Sequence, residues 1–104
     1  MGTALEPPSP SQFSEIIEKK IRDMGAEVSM DRSVYPLLEI ARGEDHYEML
    51  WHMMRIFKIL EVDQELGGLL ARIQDNPYEI KRYFYALIIG IIGATGAAEG
   101  GRGR

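Results

Sequence analysis

The stretch that decides the fold is Asn76-Pro77-Tyr78-Glu79-Ile80-Lys81-Arg82, followed by Tyr83-Phe84-Tyr85-Ala86-Leu87-Ile88-Ile89-Gly90-Ile91-Ile92-Gly93-Ala94-Thr95-Gly96-Ala97-Ala98. Its opening reads as a helix start. Asparagine can cap, proline suits the first helical position, and glutamate at the third can complete a capping box. The sixteen residues 83–98 then carry no charge. The spacing predicts a long apolar C-terminal helix, ending near Ala98. Within it Ala86, Gly90, Gly93 and Ala97 recur at intervals of four, three and four, so small side chains make one continuous stripe. Phe84, Leu87, Ile88 and Ile91 form a large stripe beside it, and Tyr85, Ile89 and Ile92 fall on another side. A helix that is apolar all round must be covered all round.

Three readings of this segment follow. A small-residue groove lets a second helix backbone approach closely. The three glycines at 90, 93 and 96 cost a helix roughly 3 kcal/mol against alanine, so close packing has to offset them. The partner is either another helix of the chain or a second copy. A membrane anchor is the second reading, with Lys81 and Arg82 before the segment and two tyrosines at its edge. As a helix, however, the sixteen residues rise only about 24 Å against a hydrocarbon core of about 30 Å. The isoleucine-rich run 87–92 also fits a buried strand.

Working outward, the remaining chain reads as helices joined by short loops. Ser9-Pro10-Ser11-Gln12 is a start signal of the capping-box kind. Phe13, Ile16, Ile17, Ile21 and Met24 then lie on one face, and Gly25 sits where a left-handed stop belongs. Residues 26–32 read as a connector, with a short alternation at 27–30 that a strand could use. A helix over 33–42 would be capped by Ser33 and ended by Gly43. Asp45 with Glu48 opens a third helix to about Leu60. There Tyr47, Leu50, Trp51, Met54 and Phe57 line one side, and Met49, Met53, Ile56 and Leu60 another. Apolar over so much of its circumference, it reads as a central helix, which predicts a buried Trp51. Asp63 would cap a segment over 64–73, weakened by Gly67 and Gly68.

The expected architecture is therefore all-α, a small bundle of about five helices in one domain over 9–98. Residues 1–8 read as a flexible tail and 99–104, Glu-Gly-Gly-Arg-Gly-Arg, as a disordered one. The 104 residues suffice for one core, about 65% of the unfolded surface being buried at this size.

Composition excludes several chemistries. There is no cysteine, which removes disulfides, thiolate metal sites and cysteine nucleophiles. His46 and His52 are six apart, so they point to different sides of a helix and cannot grip a metal as a pair. The serines at 9, 11, 14, 29 and 33 fall at caps or loops, without a nucleophile elbow. Gly90-x-x-Gly93-x-x-Gly96 lacks the lysine and hydroxyl residue of a phosphate loop. No cofactor and no metal is expected. The net charge of −4 and dispersed basic residues argue against nucleic acid. Residues 1–10 lack the basic and apolar regions of a secretory signal, and a cytoplasmic location is expected. Few Asn and Gln fit a thermophilic source, while six methionines point the other way.

The function this supports is a non-enzymatic helical interaction module, self-associating through the C-terminal helix, with Ala86, Gly90, Gly93 and Ala97 as the contact residues. The expected partner is a second copy or another helical protein. Membrane association through 83–98 and a nucleic-acid-linked helical regulator are the alternatives.

Overall fold

The computed structural model describes residues 6–96. Their elements, in order, are α1 (Pro10–Met24), α2 (Glu27–Asp31), α3 (Val34–Arg42), α4 (His46–Ile59), α5 (Asp63–Ile73) and α6 (Pro77–Thr95). The described residues are all-helical, with no strand, so the strand reading of 87–92 is overturned. The amides of that run are committed to the nineteen-residue α6. The connector 26–32 is likewise no strand but the one-turn helix α2.

Local chemistry sets the strongest boundaries. Ser9 accepts from the Gln12 N–H and Gln12 returns a bond to the Ser9 N–H, a complete capping box. Asp45 accepts from the Glu48 N–H, and Asn76 from the Glu79 N–H. Each satisfies an amide that a helix start leaves without an intrahelical partner. Gly25 stops α1 at φ 67°. The Ala26 N–H then reaches Ile21 O, and the Gly25 N–H reaches Arg22 O, the bonding of a Schellman stop. Glu61 makes the same stop for α4 at φ 60°, with the Val62 N–H bonded to Phe57 O. A non-glycine residue there costs roughly 1–2 kcal/mol, offset by burial of Phe57 and Val62 on either side of the turn.

Two expected caps are not made. Ser33 precedes α3, but its backbone is already helical, at φ −82° and ψ −17°, and its side chain makes no capping bond. α2 feeds almost directly into α3, so the extended geometry that a cap needs is lost. Asp63 lies inside α5, whose preceding residue is Val62. Burial of Val62 pulls the helix start back by one position. α6 ends earlier than expected, because Gly96 takes φ 72° and its N–H closes onto Ile92 O. Ala97, Ala98 and residues 99–104 lie outside the described residues, as do residues 1–5. Of the expected N-terminal tail, Pro8 is tied down by its carbonyl, which accepts from the Tyr83 hydroxyl at 2.7 Å.

α6 is the hub, packing against each of the other five described helices. Its most extensive neighbour is α1. Phe13 meets Tyr83, Ser14 meets Ala86, Ile17 meets Gly90 and Glu18 meets Gly93, so the two helices run side by side in the same direction. Phe13 also meets Phe57 edge-on, with centroids 5.8 Å apart, which locks α1, α4 and α6 together. Leu37 and Ala41 of α3, and Leu66, Leu69 and Ile73 of α5, complete the core. α3 is further fastened through its last carbonyls: Lys81 donates to Gly43 O and Tyr85 to Ala41 O.

Trp51 corrects the expectation of a buried tryptophan: it is 56% exposed. α4 is peripheral rather than central. It turns Met49, Met53, Ile56, Phe57 and Leu60 inward and leaves Tyr47, Trp51 and Met54 outside. Phe57 belongs to the buried side because its direction on the helix is about 40° from that of Met53 and about 120° from that of Trp51.

Gly67 and Gly68 lie inside α5, and beyond the adjacent residues and the helix's own backbone nothing stands within 4 Å of where a β-carbon would be. Gly67→Ala and Gly68→Ala should each stabilise the protein by just under about 1 kcal/mol, the helix-propensity difference. Thermal melts check this, with roughly 4–8 °C expected per kcal/mol at this size. A lowered Tm for either variant would contradict the open surroundings.

Candidate functional site

The small stripe was the expected contact surface, and the structure fills much of it from within the chain. Ala86 and Gly90 are buried. A β-carbon on Gly90 would stand 2.6 Å from Ser14 O and 3.0 Å from Ile17 Cβ. Ser14 donates its hydroxyl to Ala86 O at 2.6 Å. At Gly93 the neighbour is the Glu18 carboxylate, and Arg22 donates to Gly93 O at 2.7 Å while pairing with Glu18. α1 therefore occupies the groove at 86 and 90, its charged side chains border it at 93, and Ala97 lies outside the described residues. At Ala86 and Gly90 the close approach is made inside one chain rather than between chains.

The arc of α6 that remains open lies about a quarter turn from the small stripe, facing away from Phe84, Leu87 and Ile91. Tyr78, Arg82, Tyr85, Ile89 and Ile92 lie on one arc. Tyr78 and Ile89 are exposed, Ile89 at 61%, with Tyr85 less so and Ile92 half-buried. A second open arc is that of Tyr47, Trp51 and Met54 on α4, which the sequence reading placed in the core. The charges interleaved on that side, Glu48, Arg55 and Lys58, were the available signal. The Met49–Met53–Ile56–Leu60 side carries none.

The residues examined for chemistry are separated by the fold. Among the described residues no group of three or more His, Asp or Glu could hold a metal ion. His52 sets its ring edge-on to Trp51, with centroids 4.8 Å apart. His46 borders depressions beside Glu44 and Pro77, at the foot of α6. Gly90 and Gly93 are helical, so their amides are spent on α6 and no phosphate loop forms. A shallow depression between residues 6–8, α1 and α5 is lined by Glu6, Glu15, Lys19 and Glu65, all of them exposed.

Tyr83 is a buried titratable side chain, 7% exposed. Burial pushes its phenol above the usual value of 10.0, with Glu79 adding to the shift and Arg82 and Arg72 opposing it. Its hydrogen bond to Pro8 O requires the proton, so the group is a structural tie.

No helix among the described residues is long and apolar enough to cross a membrane. Within the uncharged segment Tyr83, Phe84, Ala86, Leu87, Ile88, Gly90 and Ile91 are buried against the protein, which removes them from contact with lipid. Compared with known protein families, with characterised proteins and with solved structures, the chain matches none.

Two outcomes test this geometry. Gly90→Ala should cost about 1–2 kcal/mol net, because overpacking against a backbone oxygen outweighs the gain in helix propensity. Gly93→Ala should be neutral or stabilising by up to about 1 kcal/mol, since only a flexible carboxylate must move. Both keep the wild-type mass by light scattering if the approach at Gly90 is internal, and a mass change in Gly90→Ala would put it between chains. The second outcome concerns pH. A phenol whose pKa is raised by folding keeps the fold in its protonated form, so its contribution is whole below about pH 10 and is lost as pH rises through the folded pKa. Urea melts between about pH 9 and 11.5 should show a steeper loss of stability in the native chain than in Tyr83→Phe. Equal slopes would mean that Tyr83 is not the group responsible.

Proposed function

We propose that the protein is a non-enzymatic helical interaction module that self-associates through α6. The observation that carries the reading is the open arc of Tyr85, Ile89 and Ile92 on a helix whose other sides are committed to the core. Covering an isoleucine fully is worth about 1.5–3 kcal/mol. A two-fold pairing would cover each exposed side chain twice, once on each copy. The contact is thus displaced from the small stripe proposed on sequence to the large side chains about a quarter turn away on the same helix.

Support also comes from what the polar groups do. Ser14, Arg22, Lys81, Tyr83 and Tyr85 are engaged with backbone carbonyls that fasten one helix to another. They brace the bundle and do not converge on a reaction centre. Attachment of the same arc to a membrane surface is the second reading, favoured by Lys81 and Arg82 beside the exposed Tyr78 and Tyr85.

Size-exclusion chromatography with light scattering on the full chain tests both. The expected mass is a multiple of 11.8 kDa, falling to a single chain in Ile89→Glu with helicity unchanged. A native chain that stays monomeric at about 0.5 mM, well above the micromolar range of modest complexes, would end the self-association reading. Sedimentation of such a monomer with vesicles would favour the second.

A further inference from the structure

The outward arc of α4 is a different surface, and it does not depend on how α6 is used. Tyr47, Trp51 and Met54 recur there at intervals of four and three, over two turns. Trp51 is 56% and Met54 50% exposed. Two neighbours contact the indole: the His52 ring stands edge-on to it, and the Arg55 guanidinium lies over it, 5.7 Å from the ring centroid. Trp51, Met54, Arg55 and Lys58 line a shallow depression.

Its composition matches the centre of a protein interface. Tryptophan, tyrosine, methionine and arginine are enriched there, and tryptophan and arginine dominate binding hot spots. A braced aromatic side chain loses little freedom when it is covered. Charge adds direction. Arg55 and Lys58 line the depression with no acidic side chain beside them in its lining, and neither makes an ion pair among the described residues. In a chain of net charge −4, two cations beside an exposed indole are a local reversal of sign.

We propose that this arc of α4 docks an acidic amphipathic helix of a partner protein. The partner's apolar side chains would lie on Trp51 and Met54, and its carboxylates against Arg55 and Lys58. A stripe at helical spacing is the complement of a helix laid along it. Its short length also selects the occupant. Glu48 lies at one end of the patch, and Glu61, Asp63 and Glu65 follow α4 at the other. A nucleic acid or an anionic bilayer extends past the two cations and brings its charge against these carboxylates. A helix of a few turns confines its acidic groups to the patch.

Trp51 is the only tryptophan, so its emission reports on the site directly. The full chain is titrated with a synthetic peptide as long as α4, with leucine and phenylalanine on one face and glutamate along both edges of that face. The same peptide carrying lysine for glutamate, and phosphatidylserine–phosphatidylcholine vesicles, are titrated in parallel. The free protein should emit near the wavelength of solvated indole, and the acidic peptide should move it to the blue, saturably. The doubly substituted Arg55→Glu, Lys58→Glu chain, with its fold verified by circular dichroism, should bind the acidic peptide roughly tenfold or more weakly. It should also gain a response to the lysine peptide. The proposal is overturned if the acidic peptide gives no shift, or if both peptides act equally. It is also overturned if charge reversal leaves the response unchanged, or if only vesicles elicit it.

Discussion

The close approach of α1 to α6 at Gly90 is the constraint on which the rest of the structure depends. A β-carbon there would stand 2.6 Å from Ser14 O, closer than carbon and oxygen tolerate. With hydrogen in its place, the α1 backbone settles directly on α6, and the register of the pair is fixed. Phe13 then falls beside Tyr83 and Phe57, and the Ser14 hydroxyl reaches Ala86 O. The Tyr83 phenol is placed where it can hold Pro8. Arg22 can reach a carbonyl of α6 because Gly93 has no side chain to cover it.

Seating α1 so closely has a consequence for the neighbouring arc of α6. The other five helices, α1 to α5, cover the arcs that carry Ile80, Phe84, Leu87, Ile88 and Ile91. The chain has no further helix among the described residues to place over Ile89. The uncharged part of α6 is thereby left with an apolar face open to water, which monomeric proteins keep small. The exposed arc of α4 arises in the same way: Met49, Leu50, Met53, Ile56, Phe57 and Leu60 pack into or against the core, and Tyr47, Trp51 and Met54 stay outside. Both surfaces are what remains when one small core has taken all it can bury.

Helix ends were legible where the signal is carried by neighbours in sequence. Ser9 with Gln12, Asp45 with Glu48, and Asn76 with Glu79 act over three residues and need nothing from elsewhere. Gly25 stops α1 for an equally local reason. Ser33 and Asp63 carried the same residue types and made no cap, because α2 preceding the one and buried Val62 preceding the other set the backbone first. The one-turn helix α2 was invisible to periodicity, since five residues contain barely one repeat of a helical pattern.

The sequence by itself determined an all-α chain, the order of its longer helices and most of their ends, because those follow from apolar spacing and from bonds within one turn. It also showed that Ala86, Gly90 and Gly93 form a surface for close packing. Only the tertiary structure decided that α1 is the helix that packs on Ala86 and Gly90, and that Trp51 faces water while Phe57, on the same helix, does not. Periodicity reports that a side chain is apolar and which neighbours share its arc. Whether that arc is covered depends on how many other helices can reach it, and that competition is settled between residues 70 or more positions apart, such as Ser14 and Ala86.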